Sequence, residues 1–122
     1  MGSERGNDWA KATIANGESL SDAIDLSSRA IVGIQIPAAW TAAAITFSAS
    51  ADGTTYADLY DDGGTEVTIA SANIPTAAAR FLTNATILEK LASVRFLKIR
   101  SGVTATPVNQ GAERTILVTL KA

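Results

Sequence analysis

Apolar and small polar residues alternate along most of the chain, the period-two spacing that puts every second side chain on one face of a β-strand. The clearest case is Ile45-Thr46-Phe47-Ser48-Ala49-Ser50, followed after Asp52-Gly53 by Thr55-Tyr56-Ala57-Asp58-Leu59-Tyr60. An Asp-Gly pair between two such runs predicts a tight hairpin, because the turn needs positive φ at its centre.

The same rhythm recurs elsewhere in the chain. Trp9 to Ile14 reads as a first strand ending at an Asn16-Gly17 turn. Leu20, Ile24 and Leu26 are spaced irregularly around Asp22 and Asp25, which fits a short strand with a bulge or corner. Ala30 to Ile36 predicts a strand with Ala30, Val32, Ile34 and Ile36 on one face and Ile31, Gly33 and Gln35 on the other. Pro37 ends it by removing a ladder donor. Asp61-Asp62-Gly63-Gly64 marks a second turn, leading into Thr65 to Ala70 with Val67 and Ile69 on one face. Val94 to Arg100 and Arg114 to Lys121 supply two closing strands, the last lined by Ile116, Val118 and Leu120.

Between Ser71 and Ser93 the rhythm breaks. Pro75-Thr76-Ala77-Ala78-Ala79-Arg80 favours one helical turn, and Thr86 with Glu89 has the spacing of a capping box. The predicted class is therefore all-β: an antiparallel β-sandwich, jelly-roll-like, of about seven or eight strands, with one or two short helical turns in a long crossover. Residues 1–8 read as a flexible N-terminal arm and residues 9–122 as a single domain.

Composition narrows the chemistry. Of the 122 residues 47% are apolar, but much of that share is alanine and only 6% are aromatic, so the core is thin and leaves burial for an interface to supply. Ten basic and twelve acidic residues give a formal charge of −2, which argues against bulk attraction to nucleic acid or to an anionic membrane. No stretch approaches the roughly 20 apolar residues of a membrane span. The chain has neither cysteine nor histidine, which excludes disulfides, thiolate metal sites, a Ser/His/Asp triad and histidine zinc sites. The serines and threonines have no candidate base beside them, and no pair of carboxylates is singled out. Neither a catalytic constellation nor a cofactor site is expected.

Three groups of residues are candidates for binding. Asp58, Asp61, Asp62 and Glu66 crowd one turn and could offer oxygen ligands to a hard cation, though not in EF-hand spacing, or meet a neighbouring subunit; the preferred reading is a solvated turn. Arg95, Lys98 and Arg100, with Arg114 and Lys121, could build a sugar- or phosphate-binding face, protect sheet edges, or pair with acidic turns of a neighbouring subunit. Trp9 and Trp40 could form an aromatic platform for a sugar, with Tyr56 or Tyr60 and nearby carboxylates as further contacts; alternatively Trp9 anchors the arm to a partner, and capping the core is the preferred role for Trp40.

Two stretches carry a resemblance. Ile45 to Tyr60 is similar to the strand, Asp-Gly turn and aromatic strand of discoidin-like, galactose-binding-type jelly rolls, and Val94-Arg95-Phe96-Leu97-Lys98-Ile99-Arg100-Ser101 resembles a later strand of those domains. From about residue 10 to residue 122 the chain also resembles small virion proteins of tailed bacteriophages and prophages. That resemblance implies a structural role: a capsid decoration or cement protein in the virion, assembled in the bacterial host cytoplasm. It would work as a homo-oligomer, a trimer by preference, against the major capsid protein or other virion proteins. The alternative is a carbohydrate-binding or receptor-recognition module of a phage tail. No sugar-contact motif of the discoidin-like modules carries over.

Overall fold

A computed structural model describes residues 7–83, 89–91 and 93–121. In chain order its strands are β1 (Asn7–Ile14), β2 (Ile24–Asp25), β3 (Ala30–Ile36), β4 (Ile45–Ser50), β5 (Ala57–Asp58), β6 (Arg80–Leu82), β7 (Phe96–Val103), β8 (Thr106–Pro107) and β9 (Arg114–Lys121). One sheet has the order β1-β9-β3-β6; the other runs β2-β7-β4-β5, with β8 hairpinned onto β7. Every pairing is antiparallel.

The partners are nested. β1 pairs with β9, β2 with β7, β3 with β6 and β4 with β5, as if one long hairpin had been rolled around a core. Two sheets wound in this way are a jelly roll, the form of antiparallel β-sandwich anticipated from the strand rhythm. Among the described residues no helix is long and apolar enough to cross a membrane.

The core lies between the sheets. Ala12, Ile14, Ile34, Ile36, Ile116 and Val118 of the first sheet are at most 1% exposed, as are Ile45, Phe47, Leu97 and Ile99 of the second. Trp40 closes one end of this core: it is buried, and its indole N–H donates to the Ala43 carbonyl at 3.1 Å. An indole N–H taken out of water needs such an acceptor.

Four local expectations change. In β3 the register shifts between Ile31 and Gly33, so Val32 is an extra residue and the faces exchange there. Ile31 is buried and Val32 only partly so, the reverse of strict alternation, because a bulge moves the following residues by one. The Asp52-Gly53 hairpin does join β4 to β5, but through a longer loop, the last pair being Ala49 with Ala57. Its Asp52 carboxylate accepts from the Thr54 and Thr55 N–H groups at 2.8 and 2.9 Å, building a wide Asx-stabilised loop instead of a two-residue turn.

The other two changes fall in the crossover and at the start of the chain. The helical turn lies at Ser71–Asn73, as a 3-10 turn, and not at Pro75-Arg80. Arg80–Leu82 instead pairs with Ile34–Ile36, because covering the open edge of β3 outweighs the helical preference of an alanine run. The capping-box pair Thr86 and Glu89 lies partly outside the described residues. Asn7 and Asp8, expected in the arm, already belong to β1.

Candidate functional site

The two outer sheet faces differ. On the second sheet Phe96, Lys98 and Arg100 point outward opposite Ser50, Ser48 and Thr46. The Asp52-Gly53 loop folds back over them. The Phe96 ring lies against Gly53, where a Cβ would come within 3.2 Å, and Lys98 stands over the Tyr56 ring at 4.5 Å. That face is covered by the protein's own chain.

Arg100 anchors this cover. It is 8% exposed and its guanidinium meets Asp58 at 2.6 Å, Glu66 at 3.6 Å, and the hydroxyls of Thr104 and Thr46 at 2.8 and 3.3 Å. Glu66 in turn accepts from the Thr104 hydroxyl. Two of the four carboxylates considered for a cation are thus turned toward a guanidinium. Asp61 is spent elsewhere: it accepts from the Gly63 and Thr65 N–H groups, each at 3.0 Å, and meets Lys90 at 3.2 Å. Those contacts, the Thr65 N–H first and then Lys90, hold its carboxyl below the usual range. Asp62 is exposed in the same turn. Among the described residues no cluster of three or more acidic groups could hold a metal ion.

The first sheet is open. Trp9 on β1 lies level with Thr119 on β9 and Gly33 on β3; Lys11 lies level with Leu117, Gln35 and, on β6, Phe81. All of these alternate with core positions and so face outward. Trp9 is 62% exposed and Phe81 53%. The Phe81 ring leans across Gly33, which has no side chain to hold it off. With strands about 4.8 Å apart, the backbone of Trp9 lies two spacings, roughly 10 Å, from that of Gly33. The result is a shallow trough between Trp9 and Phe81, floored by Thr119 and Leu117, with Gly33 buried beneath the Phe81 ring.

The edge beside Trp9 is partly occupied at both ends. The Asp8 carboxylate accepts from the Trp9 N–H at 2.8 Å, and Asp22 clamps Thr13 twice, its carboxylate accepting from the Thr13 N–H at 2.8 Å and its own N–H donating to the Thr13 carbonyl at 3.1 Å. Carboxylates on an outer strand occupy the donors another chain would use.

Of the residues singled out in the sequence, Trp9 is therefore on the open face and Trp40 is in the core. Arg100 is buried in its own acidic cluster, and Lys98 is committed to Tyr56. Arg95 pairs with Asp25 at 3.0 Å, and its guanidinium lies over the Phe96 ring, 4.9 Å from the centroid. Arg114 turns to Gln110 and Thr41, at 3.0 and 3.2 Å. Tyr60 is half exposed at the bridge to Glu66. Phe81 was not foreseen, because a three-residue strand carries too little alternation to be seen. Compared with known proteins, the sequence matches no family model and no curated protein.

Proposed function

We propose that this chain is a non-enzymatic virion protein of a tailed bacteriophage, a capsid decoration or cement protein that stabilises a shell through subunit contacts. The observation that carries the reading is the asymmetry of the sandwich: one outer sheet face is covered by its own loop, while the other exposes Trp9 and Phe81 across a floor of Thr119 and Leu117. Exposed aromatics around a shallow centre, with Lys11 as its charged member, fit the composition of interface anchors. A rolled sandwich is a rigid carrier for such a face, though the fold is shared by lectins and capsid proteins and does not decide between them. The proposed partner is the major capsid protein, and the proposed working unit is a homo-oligomer, a trimer by preference.

Co-sedimentation of the purified chain with empty shells, together with its mass by light scattering, tests the proposal. Saturable binding to shells supports it; a strict monomer that stays in the supernatant contradicts it.

A second reading rests on the same trough. Two aromatic walls with Thr119 and Gln35 between them also suit a sugar, so a carbohydrate-binding role is carried by Trp9 and Phe81, not by the buried Trp40. Glycan-array binding without shell binding favours that reading.

A further inference from the structure

Arg29, Arg95 and Lys121 come from three separate stretches of chain and meet at one pocket of about 360 Å³. It lies where the β2–β3 turn, the start of β3, the end of β9 and the approach to β7 converge. Ser27, Ser28 and Ser93 also line it, and among the described residues no carboxylate does. In a chain of net charge −2 this is a local concentration of positive charge and not a reflection of composition.

Both arginines are held from behind. Asp25 Oδ1 accepts from the Ser27 backbone N–H at 2.9 Å and from Arg95 Nε at 3.0 Å. Asp8 plays the same part for Arg29: one oxygen accepts from the Trp9 N–H at 2.8 Å and the other from the Arg29 guanidinium. Each carboxylate is fixed by the main chain, and each engages one of the five N–H donors of its arginine. Four donors on each side chain are left for another acceptor. These bonds also hold both carboxyls below their usual range, Arg95 and then the Ser27 N–H acting on Asp25, the Trp9 N–H and then Arg29 acting on Asp8. The clamps therefore stay ionised at neutral pH.

The surrounding backbone is shaped as well. Ser27, at φ +57°, is the one non-glycine residue in the left-handed region among the described residues. Such a conformation costs energy for a residue with a side chain, and here the Asp25 contact stabilises it. The bulged Val32 also lines the pocket, and bulges redirect the side chains beside a cavity.

The Arg95 guanidinium also lies over the Phe96 ring, 4.9 Å from its centroid, but the ion pairs themselves add little stability. Arg95 and Asp25 are each 52% exposed at their side chains, and exposed pairs contribute about 0–1 kcal/mol. Pre-oriented guanidinium forks and hydroxyls around a cavity are, by contrast, what recognition of a tetrahedral oxyanion requires. We infer that this pocket binds the phosphate- or sulfate-ester end of a small molecule. Its volume falls in the range of small-molecule sites, roughly 300–1,000 Å³, so the anionic head leaves space for an attached body such as a sugar ring. Among the described residues, three cations against two clamping carboxylates leave about one net positive charge, which matches a compact anion and not a polyanion such as nucleic acid. The site uses residues other than the open aromatic face, and the inference does not depend on the adhesion reading.

The test is a titration of the full chain, followed by ¹H–¹⁵N correlation spectra at low ionic strength. The probes are inorganic phosphate, inorganic sulfate and glucose 6-phosphate, with glucose as the neutral control. Saturable shifts confined to the amides of residues 27–29 and 93–95 are expected from the anions and not from glucose. Tighter binding of glucose 6-phosphate than of inorganic phosphate shows that the head and an attached body are both read; equal binding shows that the head alone is recognised. Arg29→Ala and Arg95→Ala should each weaken binding by about tenfold or more, the loss of a charge-assisted contact. Because either change could disturb its clamping aspartate, Lys121→Ala repeats the test at a side chain that pairs with no carboxylate among the described residues, and Lys11→Ala serves as a charge control outside the pocket. Absence of localised shifts with all three anions, or unchanged affinity in all three pocket variants, overturns the inference.

Discussion

The ring of Phe81 lies over Gly33, so close that a Cβ at position 33 would fall 2.6 Å from the ring Cζ and 2.7 Å from the Thr119 hydroxyl. The glycine is needed for close approach and not for its backbone angles. Gly33→Ala should push the ring off the sheet and cost about 1–2 kcal/mol, the scale of overpacking. In a Phe81→Ala background part of that cost should vanish. A double-mutant cycle by urea denaturation measures the coupling, and strict additivity of the two changes would show that the ring does not rest there.

Arg100 joins β7 to Asp58 on β5 and to Glu66 beyond the second turn. Arg100→Met removes the positive partner while Glu66 remains largely shielded, so a loss of about 3 kcal/mol is expected. Arg100→Lys should recover little of it, since one ammonium cannot reach Asp58, Thr46 and Thr104 in the directions a planar fork does. Full stability in the lysine variant, measured by chemical denaturation, would count against this geometry.

Acid sensitivity should trace to turn aspartates. Backbone N–H groups of Thr55 and Thr54, with the Ser50 hydroxyl, hold the Asp52 carboxyl at about 2, below its ordinary 3.8. Its ionisation therefore favours the folded chain, a contribution complete above about pH 4 and lost as pH falls through about 2. Asp8, Asp25 and Asp61 are shifted the same way. Melting temperature should decline from about pH 4 downward, and less steeply in Asp52→Asn. Superimposable profiles for the two proteins would remove Asp52 from the explanation.

The two tryptophans should behave in opposite ways. Trp40 is 2% exposed, so Trp40→Ala should cost about 3–5 kcal/mol through the cavity it leaves. Trp9→Ala, at an exposed position, should stay within about 0.5 kcal/mol of wild type. Thermal or urea denaturation of both variants checks this, and comparable losses would contradict the assignment of one to the core and the other to the open face.

Periodicity made β1, β3, β4 and β9 legible because each carries enough alternating residues to reveal a face. It misplaced the faces of β3, since nothing in Ala30-Ile31-Val32-Gly33 marks Val32 as an added residue. It read Ala77-Ala78-Ala79 as helical because local preference is all that a sequence displays, whereas the pairing of Arg80–Leu82 with β3 is a tertiary fact. The candidate surfaces were legible only in part. Trp9 was visible as an aromatic beside a polar segment, but Phe81 joins it only through the roll of the sheet. Arg95, Lys98 and Arg100 look like one basic strand; Lys98 and Arg100 do share a face, where they meet Tyr56 and the Asp58 and Glu66 carboxylates, while Arg95, at the bend before the strand, turns to Asp25.

Adhesion through the open face of the β1-β9-β3-β6 sheet is the central proposal. The most direct measurement is the affinity of Trp9→Ala/Phe81→Ala for capsid shells, set against a Tyr56→Ala/Lys98→Ala control on the covered sheet. Removing two interface anchors is predicted to weaken binding by about a hundredfold or more, with the control within about twofold of wild type. Wild-type affinity in the Trp9/Phe81 variant, or no binding of the wild-type chain to shells at all, would contradict it.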